Sequence, residues 1–160
     1  MNRYQQLSAL AAKYSQQFFE QQRLCRRRAV ALIEAYAAYL ECPLADIEQV
    51  ELDGNLSPTD KRVPIDGKLP LVVDRDGYWH FCWRIHFDAG ASQFSAHEHV
   101  VFAIRIDEDL LSIREDGEFT VKVSDLASAE PFFKHLFEKS LVGFGKSHGE
   151  RTARIGFIGE

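Results

Sequence analysis

The chain has 160 residues, 46% of them hydrophobic and 27% charged, with a formal charge of -5 and a sequence pI near 5.7. That size fits one domain around a single core and disfavours two. The acidic balance argues against a general attraction to nucleic acid or anionic lipid, while leaving room for a local basic patch.

Residues 2–41 contain neither proline nor glycine and are mostly Ala, Gln, Leu, Arg and Glu, which predicts a long helix. Its apolar stripe runs Leu7, Ala11, Tyr14, Phe18, Cys25, Ala29, Leu32, Tyr36 and Tyr39, in steps that keep one side apolar, with Gln21 and Gln22 in the missing slot. Two readings stand. An unbroken helix of roughly 60 Å would overhang a domain of about 40 Å diameter, and its stripe would need another surface, of which a second copy of the chain is the usual supply. A break around 16–22 would instead give two locally packed helices. Pro43 ends the helix, because it excludes Cys42 from the α region. Arg26, Arg27 and Arg28 precede an apolar run at 29–40, but that run contains Glu34 and has about 12 residues where a membrane span needs about 20. No membrane association is expected.

Residues 43–67 are dense in turn formers and read as loop, with a short helical turn after Pro43 and a short strand near 50–52. Strands follow at 69–73, 78–87, 97–106, 110–114 and 119–123. The turns Asp74-Arg75-Asp76-Gly77, Asp107-Glu108-Asp109 and Glu115-Asp116-Gly117 join them, so the connections are short enough for an antiparallel meander. A longer loop spans 88–96. Ser128 and Pro131 mark the start of a helix over 129–142, with Phe132, Phe133, Leu136, Phe137 and Leu141 as its buried side and Gly143 and Gly145 as its stop. The tail, 146–160, turns apolar at Ile155, Phe157 and Ile158 and could add an edge strand or bind a partner chain. The whole is a single α+β domain: a long N-terminal helix, a five-stranded antiparallel meander sheet with a possible sixth strand, and a C-terminal helix, the helices covering one face.

Residues 78–87 alternate with Trp79, Phe81, Trp83, Ile85 and Phe87 on one face and Tyr78, His80, Cys82, Arg84 and His86 on the other, as a half-buried strand requires. Residues 97–106 also alternate, with Val100, Phe102, Ile104 and Ile106 opposite His97, His99, Val101, Ala103 and Arg105. Matching the apolar faces fixes register parity, so the histidine-bearing positions lie together. His86 is then expected near His97 or His99, Arg84 near His99 or Val101, and His80 near Ala103 or Arg105. Later strands add Ser112, Arg114, Thr120 and Lys122, and the positive side chains outnumber Glu118.

The candidate ligand-binding residues are therefore Tyr78, His80, Arg84, His86, His97, His99 and Arg105. Three readings apply to them. His97-x-His99 places two imidazoles on one side of a strand, with His80 or His86 as a third metal ligand. However, no glutamate follows among 100–105, and the arginines would crowd a cation, so no metal or other cofactor is expected. Arginine, histidine and tyrosine together suit phosphate, carboxylate or single-stranded nucleic acid. An ordinary solvated or subunit-contact face is the simplest account.

Other motifs carry less. Gly145-Lys146-Ser147 lacks the earlier glycine of a phosphate-binding loop, since Ser140 stands there. Asp74-x-Asp76-Gly77 lacks the later glutamate of a calcium loop. Cys82 beside His80 or His99 is a weak nucleophile–base pair. The cysteines Cys25, Cys42 and Cys82 are odd in number and lack metal-ligand spacing, so buried thiols in a reducing cytoplasm are expected instead of a disulfide framework. The leading expectation is a small cytoplasmic homo-oligomer that binds itself or another protein and does not catalyse. The alternative is a ligand-binding or enzymatic domain using the histidine- and arginine-rich face for an anionic small molecule, with nucleic acid disfavoured.

Overall fold

The computed structural model describes the backbone of residues 1–88 and 96–158, and side chains up to 145 within those ranges. Helix α1 (Arg3–Leu40) is continuous. Asn2 caps it, its side chain accepting from the Gln5 amide while the Gln5 side chain accepts from the Asn2 amide, a reciprocal arrangement that satisfies two free donors of the first turn. Glu41 closes it with φ +55. Of the two readings the unbroken one holds, since Gln16, Gln17, Gln21 and Gln22 are polar yet good helix formers.

Among the described residues seven strands form one sheet: β1 (Ile47–Leu52), β2 (Pro58–Pro64), β3 (Val72–Val73), β4 (Trp79–Phe87), β5 (Ala96–Asp107), β6 (Leu110–Arg114) and β7 (Glu118–Lys122). The order is β2-β1-β4-β5-β6-β7, with β3 paired to β4 beyond the end of β1. All pairings are antiparallel, and β4 to β7 make the expected meander. Two findings differ from the sequence reading. Residues 58–64, expected as loop, form edge strand β2, and the strand expected over 69–73 is reduced to Val72–Val73. A short 3-10 turn, Leu44–Asp46, precedes β1. Gly77 adopts φ +82 at the turn into β4, a conformation open to glycine.

Helix α2 (Glu130–Ile158) passes through Gly143 and Gly145, so the expected stop at 142 and the separate tail over 146–160 are corrected. Glycine weakens a helix without forbidding it, and a Cβ at either position would meet nothing within 4 Å. Ile155, Phe157 and Ile158 lie in the helical segment, their side chains outside the described residues, as are loop residues 89–95.

The core lies between the sheet and both helices. Trp79, Phe81, Trp83 and Ile85 meet Val100, Phe102 and Ile104 on one sheet face, against Cys25, Ala29, Leu32, Ile33 and Tyr36 of α1 and Phe132, Phe133 and Leu136 of α2. Phe137 and Leu141, expected buried, are largely exposed. The segment between β2 and β3 is held by side-chain donors. Gln49 Nε2 donates to the carbonyls of Pro64, Ile65 and Gly67, and Arg26 donates to Leu69 from α1. Where the helix meets the sheet's end, the Phe18 ring lies 5.1 Å from that of Trp79. Before that point α1 leaves the body: residues 1–17 are all exposed, a length of roughly 25 Å.

Candidate functional site

The outer sheet face has the register expected of it. His86 stands opposite His97, Arg84 opposite His99, Cys82 opposite Val101 and His80 opposite Ala103. The seven candidate residues nevertheless divide into two groups.

The first group surrounds the turn before β4. Tyr78 is buried, with the guanidinium carbon of Arg105 at 4.8 Å from its ring centre and that of Arg114 at 3.9 Å. Arg105 donates to the Asp76 carbonyl at 3.1 Å, and Arg114 to the Asp76 carboxylate at 3.4 Å and to Glu118 at 3.2 Å. His80 Nε2 lies 3.0 Å from Asp74 Oδ2. Burial alone would raise Asp74, but hydrogen bonds from the Tyr78 amide, His80 and the Asp76 amide outweigh it and hold the carboxyl below its usual range. These side chains already have partners, and their arrangement locks a turn onto the sheet.

The second group is Arg84, His86, His97 and His99. His86, His97 and His99 are exposed, and the His97 and His99 rings sit 5.4 Å apart, edge to face. Arg84 reaches Glu48 at 3.7 Å through one terminal nitrogen, while its buried Nε finds no hydrogen-bond partner among the described residues. Burial, then the charges of His97 and Arg62, push His99 below its ordinary range. Arg62, which β2 brings alongside β1 opposite Val50, lies in a segment whose sequence alone reads as loop, so it is not among the candidates above. His97 and Arg62 are thus the charged neighbours that act on His99, while Arg84 is balanced in part by Glu48.

A hollow of about 500 Å³ opens between the two groups, its walls including Asp74, His80 and Arg114 from the first, His99 from the second, and Lys139 of α2. It lies where β6 ends at Arg114 and so leaves the first half of β5 without a strand on that side. Its acids are engaged: Glu115 receives Lys139 and lies 2.5 Å from His135, and Lys139 also reaches Asp116 at 2.6 Å. These contacts, with Ser140 donating to Glu98 at 2.6 Å, moor α2 to the sheet.

Among the described residues no cluster of three or more His, Cys, Asp or Glu is arranged to hold a metal ion, and no helix is long and apolar enough to cross a membrane. Cys82 is buried and its thiol pushed up to about 12 by that burial, the reverse of what an attacking thiolate needs. No protein-family model, curated protein or solved structure matches the chain.

Proposed function

We propose that the protein is a binding module that self-associates through the projecting half of α1 and works by association, without catalysis. One observation carries this reading. Tyr4, Leu7, Leu10 and Tyr14 are 78%, 67%, 63% and 71% exposed, and the stripe to which Leu7 and Tyr14 belong is, from Cys25 to Tyr36, sealed in the core. An apolar helical stripe in water costs free energy that a second apolar surface recovers. The three free thiols, Cys25 and Cys82 among them buried, suit a reducing cytoplasm. Light scattering across a concentration series tests the proposal: a dimer or higher species is expected, and a monomer at every concentration would remove it.

A second reading is favoured by Arg84. A guanidinium with a buried, unpartnered Nε beside two imidazoles and Arg62 is suited to an oxyanion such as phosphate or a carboxylate. Titration with inorganic phosphate, followed through the imidazole NMR signals, should move His99 and His97 and leave His135 unmoved. Equal shifts at all three would point to a bulk salt effect.

A further inference from the structure

We infer that two copies pair through antiparallel α1 segments, with Leu7 of each seated against Phe18 of the other at the groove where the helix leaves the sheet. The inference rests on the self-association reading and specifies its geometry.

Along the projecting half, Tyr4, Ala11 and Phe18 recur every seven residues, with Leu7 and Tyr14 between them. This is the alternating three- and four-residue spacing of a coiled-coil seam. Cys25 and Leu32 continue the seven-residue series into the core. The seam is therefore one stripe covered by the chain's own sheet at one end and bare at the other. A second copy is its natural complement, because each copy has the same bare end.

Antiparallel pairing with Leu7 opposite Phe18 also sets Ala11 opposite Tyr14, so that each large side chain of the central pairs meets a small one. A parallel pair would set Tyr14 on Tyr14 and Ala11 on Ala11, crowding one layer and leaving a void in the next. A shorter antiparallel overlap, Leu7 on Ala11, would leave Phe18 without a partner. A longer one, Leu7 on Cys25, would call for a side of the helix that the chain's own sheet already covers. Charge does not oppose the chosen register. Lys13 and Glu20, seven apart, share a position off the seam, and the flanks carry Ser8, Leu10, Ser15, Gln17 and Gln22 with the single charge of Arg3, which faces Gln22 in this register.

The groove at the root supplies the second, independent observation. It has a volume of about 440 Å³, with Tyr14, Phe18 and Gln21 on one wall and Val73, Trp79 and Ile106 on the other. In this register the second copy's Tyr4 and Leu7 arrive beside Gln21 and Phe18, at that groove. Tyr4, Leu7, Leu10 and Tyr14 would cover roughly 500 Å² per copy, or about 1,000 Å² in all, which is at the threshold for a specific interface.

Site-specific disulfide trapping tests the geometry. Chains carrying Leu7→Cys are mixed with chains carrying Phe18→Cys and oxidised; as a second pair that leaves the Phe18–Trp79 contact intact, Ala11→Cys chains are mixed with Tyr14→Cys chains. Each mixture should give several-fold more covalent dimer than either variant alone, with wild type as the control for Cys42. Stronger trapping in Leu7→Cys alone or Ala11→Cys alone would establish parallel pairing and overturn the inference while leaving self-association intact. A dimer by light scattering with no trapping in any sample would also overturn it. A monomer by light scattering would remove the reading beneath it.

Discussion

The guanidinium carbon of Arg114, on β6, lies 3.9 Å from the ring centre of Tyr78, on the turn into β4, and this contact helps to explain how a tyrosine on the outer sheet face comes to be buried. Arg105 covers the same ring from β5. Attraction of a cation to an aromatic face adds to the area removed from water. Tyr78→Ala should lower stability by about 3 kcal/mol, whereas Tyr78→Phe, which keeps the ring, should retain most of it. Denaturant midpoints of the two variants compare them directly.

The position of His99 gives stability a pH dependence. Its folded value is depressed, so as pH falls below about 6.5 the unfolded chain takes up the proton first. Stability at this site is therefore greatest above that pH, is lost as pH falls toward the lower folded value, and then levels off. Replacement by glutamine should flatten this part of the curve. If the oxyanion reading is right, phosphate should raise the His99 pKa and flatten it as well.

Leu32 and Leu7 lie on one helix in opposite circumstances, the first fully buried and the second two-thirds exposed. Leu32→Ala should cost about 3 kcal/mol through the cavity it leaves. Leu7→Ala should change the dilute chain by less than about 0.5 kcal/mol while weakening self-association. Thermal melts at low and high protein concentration separate the two effects.

Glu115 is buried at the β6–β7 turn and holds His135 and Lys139 of α2. Glu115→Ala should cost about 1 kcal/mol, because half-buried His135 and exposed Lys139 lose their shared acceptor but can turn to water. Hydrogen exchange should quicken first in the helix around 132–140. Uniform quickening across the sheet would mean that the contact is not what moors α2.

Gly143 lies within α2, where its φ is not positive and nothing crowds it. Gly143→Ala should therefore strengthen the helix by up to about 1 kcal/mol and raise the far-UV helical signal. A loss of helix would mean that the glycine acts as a terminator.

Much of the sheet was legible because its signal is local. The alternation from Trp79 to Phe87 assigns faces by backbone geometry alone, and matching it to Val100, Phe102 and Ile104 brings His86 to His97 and Arg84 to His99. β2 escaped notice because most of Pro58–Pro64 is exposed, and an edge strand without a buried face has no period to detect. Arg62 was missed with it. Phe137 and Leu141 have the spacing of a buried stripe but are exposed; Phe137 meets Tyr39 of α1 edge-on, while Ser140 is the residue that reaches the sheet at Glu98.

The sequence by itself determined which residues share a face, since side-chain direction follows from the two-residue and 3.6-residue periods of the chain. It also determined that α1 could run unbroken. Only the tertiary structure decided what covers each face: that Tyr78 lies beneath two arginines from other strands, that His80 is taken by Asp74 while Arg84 Nε has no partner among the described residues, and that one stripe of α1 is core from Cys25 to Tyr36 and bare before Phe18. Periodicity is fixed within a few residues of chain, whereas burial depends on segments that meet only when the whole domain has closed.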